Sequence, residues 1–177
     1  GYSEMALAPG DPGTQACGFC GGDCAFHEGV VHHRPVMLGY QASGSAPFLR
    51  GGPVQHPETL ATAIRIGAPQ SWDYALTASR ESGGWFGEFS DEAILEAQWQ
   101  LASHEGIFCE PASVVSVAGA MRDIEQGTIP PGSQVVCTLT GHGLKDPDVA
   151  ERRAAAAVTT VDAEGAAVRQ AILGKMG

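Results

Sequence analysis

Three cysteines, Cys17, Cys20 and Cys24, crowd into the stretch "CGFCGGDCAFHEG", with His27 close behind and His32 and His33 soon after. Thiolates and imidazoles ligate zinc and related metals. Closely spaced thiols also serve redox chemistry. The spacing C-x2-C-x3-C-x2-H offers three sulfurs and one nitrogen. Structural zinc sites usually pair two short ligand knuckles across a longer loop. Here all four groups fall between Cys17 and His27, so no metal ligand is assigned, and a Cys-His metal-binding module stands as an alternative.

Other groups that could do chemistry sit in loops after short apolar runs. Gly10-Asp11-Pro12-Gly13-Thr14 can turn a strand into a helix. Such a turn exposes backbone N–H groups and can hold a phosphate. Pro12 removes one donor and Asp11 places a negative charge where the anion would sit. An ordinary strand–helix turn therefore explains the stretch as well. Gln41-Ala42-Ser43-Gly44-Ser45-Ala46 permits close approach of a flat ligand, or of another backbone segment. Glu110, at a strand end, is either functional or paired with an arginine, and Ser113 can cap the helix that follows. Thr140 leaves an apolar strand just as Gly141 bends the chain. Its hydroxyl, both donor and acceptor, can meet a heteroatom of a bound ring or satisfy a backbone group. His142, between glycines, is expected to be exposed.

These loops need elements to position them. Strands are expected at Met5 to Ala8, Arg34 to Tyr40, Trp85 to Phe89 and Ile107 to Cys109. Val135 to Leu139, continuous and apolar, reads as a central parallel strand. Helices are expected over Pro57 to Ile66, Ser71 to Ser82 (closed by Gly83-Gly84), Asp91 to Glu105 (capped by Ser90), Ser113 to Gln126 and Ala163 to Leu173. Strands alternating with helices across short links predict an α/β fold with a largely parallel sheet flanked by helices. Ligands of such sheets sit at the carboxyl ends of strands, where the loops above lie.

The 177 residues suffice for one domain with a sizeable core, so residues 1–177 are read as a single α/β unit. A net charge of −10 argues against nucleic acid or an anionic membrane as partner, since both need a basic face. No apolar run is long enough to span a bilayer. Five cysteines without an export signal read as thiols in a cytoplasmic protein. The sequence opens at Gly1 rather than Met, so a missing amino-terminal piece is expected.

The motifs "MLGYQASGSAP", "ETLATAIRIGAPQSW", "SDEAILEA", "EGIFCEPASVVSVAGA" and "LTGHGLKDPD" are long and collinear. On them the chain resembles threonine synthase, a pyridoxal-phosphate enzyme of the tryptophan-synthase-β fold type (fold type II). The resemblance is strong over 27–177 and weak over 1–26. It implies the carboxyl-terminal half of the large cofactor-binding domain, and conversion of O-phosphohomoserine to threonine and inorganic phosphate. It also implies a small-molecule substrate, pyridoxal 5'-phosphate as cofactor, and a homodimer for the full-length enzyme.

The family's Schiff-base lysine lies in a "SFKDRG"-like motif that this sequence lacks. Its two lysines are Lys145 and Lys175; neither is given that role, so no catalytic residue is assigned and the isolated chain is expected to be inactive. Two cofactor contacts carry across. The family's Gly-Asn-Ala-Gly-Asn phosphate cradle corresponds to Gly10, Asp11, Pro12, Gly13 and Thr14, which keep both glycines and lose the asparagines and alanine. The family's threonine at the pyridine nitrogen corresponds to Thr140, and a neutral hydroxyl there would leave that nitrogen largely unprotonated. The family's asparagine between two glycines is His142 here. A threonine dehydratase-like or cysteate synthase-like enzyme, or a non-catalytic pseudoenzyme, are the alternatives.

The resemblance also bears on the cysteines, because it places a helix just after the cradle. Cys17, Cys20 and Cys24 then fall at i, i+3 and i+7, the buried stripe of one helix face. Gly18, Gly21 and Gly22 would each weaken that helix by about 0.5–1 kcal/mol relative to alanine.

Overall fold

The computed structural model of the chain describes residues 5–8, 35–155 and 159–174. The expected phosphate cradle at Gly10–Thr14, the cysteines from Cys17 to Cys24 with His27, and Lys175 lie outside the described residues. The chain divides into two compact units, residues 1–146 and 147–177.

Among the described residues the first unit has four strands: β1 (Met5–Ala8), β2 (Val36–Ala42), β3 (Phe86–Phe89) and β4 (Val136–Cys137). Their order in the sheet is β3-β2-β1-β4. β2 and β3 run parallel, with Gly39 opposite Phe86 and Ala42 opposite Phe89. β1 pairs antiparallel with both β2 and β4. Met37 to Ala42 are buried without interruption, as expected of a strand covered on both faces.

Among the described residues this unit has four helices: α1 (Pro47–Arg50), α2 (Trp72–Ser82), α3 (Asp91–Glu105) and α4 (Pro111–Glu125). Ser90 caps α3 by accepting the Ala93 N–H at 3.3 Å, and Asp91 and Glu92 place negative charge in its first turn. Gly83 ends α2 at φ 72°, a conformation that favours glycine. Val114 and Val115 of α4 join Leu38, Tyr40, Ile94 and Ile129 in one buried cluster. α4 packs against β2, β3 and α3 and so forms the centre of the unit. The second unit contains α5 (Pro147–Ala155) and α6 (Gly165–Gly174), the latter with no buried residue.

The alternating α/β architecture and the parallel β2–β3 pair are those expected; three local readings differ. Over 57–66 the structure has one short 3-10 turn, Thr62–Ile64, in place of a helix. The backbone N–H of Glu58 goes to Gly44 O (3.0 Å), that of Leu60 to Asp91 Oδ2 (2.9 Å) and that of Ala61 to Thr59 Oγ1 (3.1 Å). Donors spent on distant groups or on a neighbouring side chain leave no i→i−4 ladder. Ile107 and Phe108 are exposed, and Cys109 pairs with His142 in an isolated bridge in place of a strand. Val135 to Leu139 contributes a two-residue strand at the sheet edge. Val135, Cys137 and Leu139 pack on the core while Val136 is 55% exposed. This alternation marks a strand covered on one face.

Candidate functional site

The first turn of α4 and the loop after β4 meet at one corner of the first unit. Glu110 immediately precedes α4, and Pro111 occupies the first helical position, where a missing N–H does no harm. The Glu110 N–H donates to Gly141 O at 2.9 Å, and the Gly143 N–H donates to Phe108 O at 3.1 Å. Residues 108–110 and 141–143 are thereby laced together. From behind, Gln98 Nε2 of α3 donates to Cys109 O at 2.7 Å.

Side chains complete the corner. Ser113, fully buried within the first turn of α4, donates its hydroxyl to Glu110 Oε1 at 3.3 Å. Ser113 Oγ in turn accepts the Gly141 N–H at 3.0 Å and lies 3.5 Å from Thr140 Oγ1. Glu110 is 1% exposed. Its other oxygen is 2.7 Å from Lys145 Nζ, the counter-charge that a buried carboxylate requires. A Cβ on Gly141 would fall 2.0 Å from Glu110 Oε1, so the carboxylate occupies the space a larger residue would need.

The loop continues with His142, whose Nδ1 accepts the Leu144 N–H at 3.2 Å and whose ring meets Phe108 edge-on with centroids 5.8 Å apart. Asp146 closes it. Its Oδ1 accepts the Thr62 hydroxyl at 2.5 Å, and its buried Oδ2 has no hydrogen-bond partner among the described residues.

The site residues read from sequence fare differently. Thr140 is exposed beyond the end of β4, the position from which a hydroxyl can reach a ligand. His142 is exposed as expected. Glu110 is paired with a lysine, not an arginine. Ser113, read as a cap, is instead the central contact of the corner. The Gln41–Ala46 loop is filled by protein. A Cβ on Gly44 would meet Glu58 O at 1.9 Å, Gln41 Oε1 accepts the Phe48 N–H at 3.1 Å, and Ser45 Oγ accepts the Ile66 N–H at 3.0 Å. Sequence reasoning missed the link from Lys145 to Glu110. Its signal was a strand-end glutamate followed, beyond the next helix and strand, by one of only two lysines.

As a donor set, the corner offers one exposed neutral hydroxyl beside a cation already neutralised by Glu110. That suits an aromatic ring nitrogen, which takes a single hydrogen bond. No group of three or more potential metal ligands forms among the described residues, and no described helix is long and apolar enough to cross a membrane.

Residues 13–141 match the family described as pyridoxal-phosphate dependent enzyme, and the chain belongs to it. It is an α/β protein of a pyridoxal-phosphate-dependent family. Among its relatives, the threonine synthase of Synechocystis sp. is 57% identical over 130 residues, covering 73% of this chain and 34% of the relative. The threonine synthase of Mycobacterium tuberculosis strain H37Rv is 53% identical over 126 residues, covering 71% and 35%. That of Bacillus sp. strain ULM1 is 42% identical over 146 residues, covering 82% and 41%. The chain thus spans about a third of the length of the curated relatives it matches.

Proposed function

We propose that the chain is part of a threonine synthase, which converts O-phosphohomoserine and water to L-threonine and phosphate. The observation that carries this reading is the 57% identity over 130 residues with the Synechocystis enzyme. In this reading residues 1–177 belong to one partial cofactor-binding domain, with the likeness strongest over 27–177. A homodimeric cytoplasmic enzyme acting on a small-molecule substrate is part of the same proposal.

When bound, pyridoxal phosphate supplies an electron sink for carbanion chemistry. The residues of this chain would hold it. Thr140 would place its hydroxyl at the ring nitrogen, and as a neutral group it would leave that nitrogen largely unprotonated. Gly10, Asp11, Pro12, Gly13 and Thr14 would lie against the phosphate through their backbone groups. Lys145 would remain with Glu110, because freeing it would leave a buried carboxylate without its cation.

The test is a chimera in which this chain replaces the matching segment of the Synechocystis relative. Release of phosphate from O-phosphohomoserine, with threonine formed in equal amount, is the expected result. A folded chimera that deaminates threonine, or that releases no phosphate, would overturn the reading.

A further inference from the structure

The Thr140 corner holds two groups to which nothing above gives a part in binding: the buried carboxylate of Glu110 and the buried hydroxyl of Ser113. Both face Gly141, the residue that sets the direction of Thr140.

We infer that Ser113 and Glu110 are positioning residues for Thr140, aiming its hydroxyl by fixing both peptide groups of Gly141. The inference rests on the reading of Thr140 as the ring-nitrogen partner.

The Gly141 carbonyl accepts from Glu110 N at 2.9 Å, and its N–H donates to Ser113 Oγ at 3.0 Å. Each of the two peptide groups flanking the Gly141 Cα is thus held by one hydrogen bond, and neither can rotate without losing it. The donors and acceptors also fix the direction of the side-chain bonds. A carboxylate can only accept, so Ser113 gives its single hydroxyl proton to Glu110 Oε1. Toward Thr140 Oγ1, 3.5 Å away, Ser113 therefore acts as acceptor. The proton in that contact belongs to Thr140, and the contact is long enough to be exchanged for a better-placed ring nitrogen. Lys145 Nζ, 2.7 Å from Glu110 Oε2, holds the carboxylate from its other side. The chain of contacts thus runs from a half-exposed cation through two buried groups to one exposed hydroxyl.

The full chain is titrated with pyridoxine 5'-phosphate, which carries the ring nitrogen and phosphate but no aldehyde to react with lysines. Binding is read by ring fluorescence. In the ligand-free protein, the Gly141 amide is followed by NMR chemical shift and hydrogen exchange. Ser113→Ala is expected to shift the Gly141 amide, speed its exchange, and weaken binding about tenfold. Glu110→Gln, which preserves side-chain size, is expected to act in the same direction. Tyr40→Phe, whose lost hydroxyl meets Asp123 about 15 Å further along α4 than Ser113, is expected to lower the melting temperature while leaving binding within about twofold.

A Gly141 amide indifferent to both corner variants overturns the inference. So does binding that is indifferent to Ser113→Ala, or that weakens as much in Tyr40→Phe, since the corner would then matter only for stability. Failure of the unaltered chain to bind the probe overturns instead the reading of Thr140 on which the inference rests.

Discussion

Tyr40 on β2 and Asp123 near the end of α4, 83 positions apart in the chain, are joined by a 2.5 Å hydrogen bond from the phenol to Oδ2. The same oxygen accepts the Trp85 indole N–H at 2.7 Å, and Oδ1 accepts Arg122 Nε at 2.8 Å. Asp123 is 2% exposed. The Arg122 guanidinium also lies 4.5 Å from the ring centroid of Phe89 on β3. One buried carboxylate therefore ties α4 to β2 and to the lead into β3, the elements that carry the first unit.

Removing the phenol breaks the shortest of these bonds and leaves Asp123 less satisfied in a buried place. Tyr40→Phe is expected to lower unfolding free energy by about 1–3 kcal/mol. Urea denaturation with an unchanged slope would measure it; a loss below about 0.5 kcal/mol would remove Asp123 from the centre of the account.

The same carboxylate sets an acid limit. Burial works to raise the Asp123 carboxyl, but the bonds from Arg122, Tyr40 and Trp85 outweigh it and hold the group below the usual 3.8. A depressed folded value means stability fully present above the unfolded value and lost as pH falls through the folded one. Burial, with the Asp123 bond, pushes the Tyr40 phenol far above its usual 10.0, so it stays a donor throughout. Stability should therefore fall below about pH 4, and Asp123→Asn should flatten that part of the urea midpoint–pH curve. An unchanged curve would contradict the assignment.

Much of this frame could be read in the sequence because local signals and tertiary demands agree. Ser90 before Asp91, and Gly83 after Ser82, mark helix ends that packing leaves untouched. Reading failed where distant partners decide. Thr59 and Leu60 both bond to Asp91, 32 and 31 positions away, and no pattern within 57–66 announces that. Val135 to Leu139 is apolar but for Thr138, too little alternation to tell which face would be covered. At the corner, the place of Thr140 beyond the last strand was legible from the apolar run before it and the glycine after it. The Glu110–Ser113–Gly141 contacts were not, because they join segments that only the fold brings together.

Lys145 gives the next test. It is the cation beside a carboxylate that is 2% exposed, while its own side chain is 57% exposed. Losing a buried ion's partner is severe, but solvent at the lysine end softens the effect. Lys145→Met is expected to destabilise by about 1–2 kcal/mol, with the wild-type chain losing part of that difference as salt is raised. Equal melting temperatures for the two proteins at low salt would show that Glu110 is held by its hydrogen bonds alone.

Gly141→Ala separates the shape of the corner from its charges. The added methyl would begin 2.0 Å from Glu110 Oε1 and 2.1 Å from its Cδ. That carboxylate cannot retreat freely, because Ser113 and Lys145 hold its two oxygens. The loop must move instead, taking Thr140 with it. A loss of about 1–3 kcal/mol is expected for forced overpacking, together with weaker binding of pyridoxine 5'-phosphate. Gly52→Ala is the control, since a Cβ there meets nothing within 4 Å and should leave both quantities unchanged. If Gly141→Ala behaves like Gly52→Ala, the corner has slack, and the position of Thr140 is not set by the contacts described.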